Sequence, residues 1–432
     1  MATPTSTSRR TAGGLVGWMR RSFSVRSADT PAKLQLATAV TVLAGIALAI
    51  GGWYAIDRRD TAIDDAAAAA RQLIQVQDVR VQVVQADSLA SNAYLQAGQE
   101  DPAVRAAYDE RLGEASSGLV AAARAATLED AATLESVNRD LAAYAGLVEQ
   151  ARANNRQGFP VGAAYQREAR QLASELVVSL RTVEQSTRQR VEDSMERASR
   201  SSWLLVLTAV AALAVLLLGS WWLARRWRRL INVPIALAAL ITFVVLVFGV
   251  GVNASAMSTA RDAVRGELSA ADLVAQARAA GFDARASEAL TLINRGNGAA
   301  YEQQWQLSAS VVELALEQAC DRHDVGCGTL DDHLAYADGH RLVRELDDAG
   351  DWDGAVRLAT GGALDGVDPS RDFERFAASS STHLAEQSAA AGAAFDEADD
   401  SLGRLRVLVV AAGLAVAVLG AAGYAQRLRE YR

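Results

Sequence analysis

Residues 203–252 read WLLVLTAVAALAVLLLGSWWLARRWRRLINVPIALAALITFVVLVFGVGV. Two apolar runs, near Trp203–Leu223 and Leu230–Val252, flank a turn holding Arg225, Arg226, Arg228 and Arg229. Each run is long enough to cross a hydrocarbon core of roughly 30 Å. The turn is too short to be a domain, so the pair reads as a membrane hairpin. Working outward, two further runs of the same kind lie near Leu34–Tyr54 and Leu405–Tyr424. Between the first run and the hairpin sits one long polar block, and between the hairpin and the last run sits another. The chain is therefore span, block, span, short turn, span, block, span.

Arginine placement orients this arrangement. Arg9, Arg10, Arg20, Arg21, Arg26 and Lys33 precede the first span, and Arg427, Arg429 and Arg432 follow the fourth. With four crossings these flanks share a side with the basic turn, and basic flanks mark the cytoplasm. Both termini and the turn are expected inside, in a multi-pass cell-membrane protein, with both blocks outside. Trp53, Tyr54 and Trp203 then fall at the outer interface, and Trp221, Trp222, Trp227 and Tyr424 at the inner one. Arg58, Arg59, Arg404 and Arg406 run against the signal at outer ends. The first span reads as a retained anchor, since no small-residue cleavage site follows its long basic lead-in. The competing reading, core helices of a soluble protein, does not account for the basic flanks and aromatic ends.

The chain has 432 residues and a formal net charge of −8. The acidity sits in the blocks, as in Asp396-Glu397-Ala398-Asp399-Asp400, and an acidic exterior does not suit nucleic acid. The blocks are rich in Ala, Arg, Glu, Gln, Leu and Val and poor in Pro, a composition that favours long helices. Ile63, Ala66, Ala70, Leu73, Val76, Val83, Ala90 and Tyr94 make one helical stripe, and Leu172, Leu176, Leu180 and Val183 another. Breaks are expected near Gly98–Pro102, Gly113–Gly118 and Gly158–Gly162, giving about four helices per block. The expected fold is an all-α membrane protein with four transmembrane helices and two extracytoplasmic helical bundles. Its boundaries are a basic tail at 1–33, spans at 34–56, 203–224, 230–252 and 405–425, bundles at 57–202 and 253–404, the basic turn at 225–229, and a short tail at 426–432.

The blocks echo one another. Asp87-Ser88-Leu89-Ala90-Ser91 leads to Gly98 and Tyr108, and Asp283-Ala284-Arg285-Ala286-Ser287 leads to Gly296 and Tyr301. Gly158-Phe159-Pro160-Val161-Gly162 is echoed by Gly350-Asp351-Trp352-Asp353-Gly354. The matching order points to duplication. Phe159 and Trp352, each between glycines, are candidate partner contacts, or else packed hinges.

Cys320 and Cys327 are the only cysteines. Outside a cell a close pair reads most simply as a disulfide, stabilising by roughly 2–3 kcal/mol. Free thiols, or a metal held with His323 and His333 or His340, are the alternatives. No phosphate loop, kinase signature or nucleophile elbow is present, so no enzyme and no cofactor is expected. Tyr301 and Trp305 read as core aromatics. Arginines on the blocks have the donors to grip a small carboxylate, but none stands out from a solvated helix face. The spans lack charged residues in their cores, which disfavours a transporter or channel. They carry Gly45 and Ala49, then Gly413, Ala417 and Gly420, residues that allow close helix approach or are plain apolar filler. In the amino-terminal tail, Arg20–Ser27 suits anionic lipid, and Ser22 or Ser24 could accept a phosphate. The bland reading of that tail is a disordered positive-inside flank.

Paired spans around helical blocks resemble bacterial four-helix-bundle sensors, here doubled and without an output domain. Over nearly its whole length, with Gly158–Tyr165, Asp283–Tyr301 and Gly350–Ala355 as the quoted segments, the chain is similar to the actinobacterial GlnX membrane proteins. That resemblance implies a signalling adaptor. It would contact an extracytoplasmic solute-binding lipoprotein for amino acids and pass its state to an intracellular Ser/Thr protein kinase. A direct small-molecule sensor and a cell-envelope scaffold are the other readings of the architecture.

Overall fold

The computed structural model describes residues 30–96, 100–200, 202–227 and 232–429. Arg228 and Arg229 of the basic turn, and the tail with Ser22 and Ser24, lie outside the described residues. Of Arg226 only the backbone is described.

Among the described residues the chain is all helical. The helices are α1 (Thr30–Leu95), α2 (Pro102–Arg124), α3 (Leu128–Arg156), α4 (Val161–Arg200), α5 (Ser202–Trp227) and α6 (Val233–Arg265). They continue with α7 (Glu267–Ile293), α8 (Ala299–His323), α9 (Cys327–Asp348), α10 (Trp352–Ala359) and α11 (Pro369–Arg429). α1 is described from Thr30, which lies inside the expected tail. Four helical stretches are long and apolar enough to cross a membrane, which suggests a multi-pass membrane protein.

Helix ends follow local chemistry. Asp101 caps α2 through the Ala103 amide, and Pro102 follows it. Thr127 caps α3 through the Asp130 amide. Asp351 caps α10 through the Gly354 amide. One expected break is corrected: Gly113 and Gly118 lie inside α2, and the chain turns instead at Ala125–Thr127. Gly118 is a packing residue, since a Cβ there would come within 2.6 Å of Val79 Cγ2. Its alanine-rich neighbours keep the helix intact.

The chain divides into two compact units. The apolar unit comprises Met1–Arg59, Arg200–Ala254 and Ser401–Arg432. Its first and last spans run antiparallel at close range. A Cβ on Gly45 would lie 2.6 Å from the Ala417 nitrogen, and one on Gly413 would lie 2.6 Å from the Ala49 nitrogen. Gly420 meets Thr41 in the same row. The small residues of the two spans are thus reciprocal contacts, not filler. At one end Arg406 pairs with Asp57 at 2.9 Å, and buried Arg59 donates to the Asn253 carbonyl at 3.3 Å.

The polar unit comprises Asp60–Ser199 and Ser255–Asp400. The two blocks, each expected to form a helical bundle, fall together in this one unit. α1 shows why. Val76, Val79, Val83 and Ala86 face the core of the first block. Val81 and Val84, on the opposite side of the helix, enter a core with Ala277, Ala280 and Ala284 of α7. The expected one-sided stripe is therefore half of the pattern. α7 is buried nearly all round because alanine at Ala270, Ala271, Ala275, Ala277, Ala284, Ala286 and Ala289 lets neighbours approach from every side.

Candidate functional site

The seam between the halves carries a buried ionic cluster. Arg170 on α4 donates through Nη1 to Asp87 Oδ2 on α1 at 2.6 Å, and through Nη2 to Asp283 Oδ1 on α7. Asp87 is fully buried and also accepts from Tyr144 at 3.4 Å. Asp283 further accepts from Ser308 at 2.6 Å and Gln304 at 3.0 Å, both on α8. One guanidinium therefore clasps the two aspartates that head the echoed segments, one from each half. Burial raises the Asp87 carboxyl above its usual range, outweighing Arg170. Burial pushes Asp283 the same way, but the Arg170 charge and the Ser308 and Gln304 hydrogen bonds hold it below. The two aspartates hold Arg170 above its ordinary value in spite of burial.

The seam continues on both sides of the clasp. Gln77 donates to Asp272 at 2.6 Å, Arg188 pairs with the same carboxylate, and Arg167 donates to Asn294 at 3.1 Å. Beside it, Arg80 and Glu184 form a buried ion pair at 2.6 Å between α1 and α4.

A second network lies within the second half. His340 Nδ1 contacts Glu288 Oε2 at 2.7 Å, and its Nε2 contacts Glu302 Oε2 at 3.1 Å. Arg285 binds Glu288 at 2.7 Å, and Arg344 sits 3.4 Å from Glu302. Trp305 stacks on the imidazole at 3.7 Å. Burial lowers the His340 pKa, but the hydrogen bonds and charges of Glu288 and Glu302 outweigh it and raise the net value. Both carboxyls are lowered: burial raises each, while Arg285 and His340 outweigh it at Glu288, and His340, Gln306 and Arg344 at Glu302. His333, among Tyr336 and Phe376, is pushed down to about 4 by burial.

These shifts give the His340 network a pH window. The His340 contribution is complete below its unfolded value of 6.5 and is lost as pH rises through its raised folded value. The Glu288 and Glu302 contributions are complete above 4.5 and lost as pH falls through their lowered values. The His333 contribution is lost as pH falls from 6.5 towards about 4. The His340–Glu288–Glu302 network is expected to contribute most between pH 4.5 and 6.5. In His340→Gln, denaturation midpoints measured between pH 6 and 9 should lose the alkaline decline.

Cys320 and Cys327 form a disulfide, S–S 2.01 Å, across the turn from α8 to α9. That turn uses two left-handed residues, Asp324 and Gly326. The sulfurs are joined to each other, His340 lies in the network above and His333 among Tyr336 and Phe376, and the metal alternative loses its thiolates. Phe159 is exposed on the loop before α4. Trp352 is half-buried, its Nε1 donating to the Leu292 carbonyl at 2.8 Å beneath the Arg295 guanidinium. The equivalent aromatics thus differ: Trp352 is anchored and Phe159 is available. Arg225 stacks on Trp221 at 4.1 Å in the apolar unit.

Residues 62–196, the first half of the polar unit, match the model of an actinobacterial sensor domain. That match supports a sensor-type protein with a role in sensing or signalling. No curated protein and no solved structure matches the chain.

Proposed function

We propose that the chain is a non-enzymatic transmembrane signalling adaptor. It relays the state of an extracytoplasmic amino-acid-binding lipoprotein to an intracellular Ser/Thr protein kinase. The observation that carries the reading is one chain in which a sensor-domain match lies in a polar unit and four apolar helices form another. The basic flanks orient the polar unit outward, with both termini and the basic segment that begins at Arg225, still within α5, inside. The lipoprotein and the kinase come from the resemblance to the GlnX proteins.

In this reading the seam is the element that moves. Its halves meet through a shared apolar core and the Arg170 clasp, so a partner that prefers one arrangement of the two would redistribute the population. Moving a population from 1:99 to 99:1 takes a preference of about 5.5 kcal/mol. Exposed Phe159 is the contact candidate this arrangement favours. Photo-crosslinking from Phe159 and from Arg225 in intact cells, followed by pull-down, tests the reading. A solute-binding protein at the first position and a kinase at the second are expected. Recovery of neither would count against it.

A further inference from the structure

Over the seam, α4 and α8 border a cleft of about 570 Å³, a size typical of small-molecule sites. Three arginines line it, and their states differ. Arg80 is taken by Glu184, and Arg170 by Asp87 and Asp283. Arg181 on α4 is exposed and has no hydrogen bond or ion pair among the described residues. Its neighbours in the cleft are apolar and open to solvent: Val178 is 61% exposed on α4, and Leu307 is 57% exposed on α8. Leu307 begins a stripe with Val311 and Leu314 at helical spacing, all exposed. An unpaired guanidinium beside exposed aliphatic side chains is a complementary surface for a molecule with a carboxylate at one end and a hydrocarbon body. Asp283 on the floor adds a fixed negative charge, which repels a second carboxylate on the same ligand.

We infer that this cleft binds a small monocarboxylate with a short apolar chain. The carboxylate is held by Arg181 and the chain lies between Val178 and Leu307. Such a ligand touches both halves, so its binding favours the closed seam. The inference is independent of the relay reading, since it needs no partner protein.

The test is calorimetry on the full chain in lipid nanodiscs. The probes are 4-methylpentanoate, leucine, succinate and 4-methylpentan-1-ol. 4-Methylpentanoate is expected to bind, with the alcohol and succinate at least tenfold weaker. Arg181→Gln, at an exposed position that leaves folding intact, should weaken binding tenfold or more, and Val178→Asp should do the same. Leucine binding as tightly as 4-methylpentanoate would identify the source as an amino acid whose ammonium Asp283 accepts. Leucine binding more weakly would identify a plain carboxylic acid. No binding of either carboxylate at millimolar concentration would overturn the inference. So would equal binding of succinate, or binding undiminished in Arg181→Gln.

Discussion

Replacing Arg170 by methionine is expected to destabilise the polar unit by about 3–5 kcal/mol, because it leaves a buried charge without its partner. Asp87 is fully buried and would retain only the long Tyr144 hydrogen bond. Asp283 would keep Ser308 and Gln304, so the damage concentrates on α1. Two controls separate this from loss of packing. Pairing Arg170→Met with Asp87→Asn removes the stranded charge and should recover most of the loss. Arg188→Met breaks a half-exposed pair with Asp272 and should cost at most about 1 kcal/mol. The pH dependence has a definite sign. Without Arg170 the Asp87 pKa rises further, so the folded state binds a proton that the unfolded state releases above 3.8. The deficit should therefore be largest at neutral pH and shrink on acidification. Chemical denaturation followed by circular dichroism at two pH values reads all of this.

The second large effect is expected in the apolar unit. Gly413→Ile places a side chain against the Ala49 backbone, and Gly45→Ile does the same at Ala417. Backbone atoms have no rotamer to move out of the way, so the first and last spans must separate. Overpacking typically costs about 1–3 kcal/mol, with the upper end expected where the obstacle is backbone, and it removes the close approach on which small-residue interfaces depend. Gly251→Ile is the control, since a Cβ at that position meets nothing within 4 Å. Thermal unfolding in detergent should fall sharply for the first two variants and stay near wild type for the third.

The apolar helices were legible because an uncharged run of that length matches the thickness of a hydrocarbon core. The Ile63–Val83 stripe was legible because helical periodicity projects directly onto burial. What periodicity could not supply was the partner of the opposite face. Val81 and Val84 look like scattered apolar residues until α7 is set beside them. The usable signal was α7 itself, whose alanines occur on every side and so describe a helix with no solvent face. The clasp was harder still. Arg170 finds Asp87 and Asp283 at sequence separations of 83 and 113, and no spacing rule selects one arginine among so many. The echo of the two aspartate segments held the hint, for it placed Asp87 and Asp283 at matching points of the two halves. Gly113 and Gly118 misled because a glycine that admits a neighbouring side chain is indistinguishable in sequence from one that ends a helix. Phe159 and Trp352 look equivalent in sequence, and only the Leu292 carbonyl and Arg295 make them differ.

A relay requires that the state of the seam be felt at the far ends of the spans. Nitroxides at Leu36 and Leu237, both exposed positions near the starts of the first and third spans, report on that directly. All native cysteine is in the disulfide, so introduced cysteines label cleanly. Pulsed electron resonance on the full chain in nanodiscs would compare wild type with Arg170→Met under conditions where both remain folded. A shifted or newly bimodal distance distribution is expected when the clasp is opened. An identical distribution in the two proteins would contradict the relay.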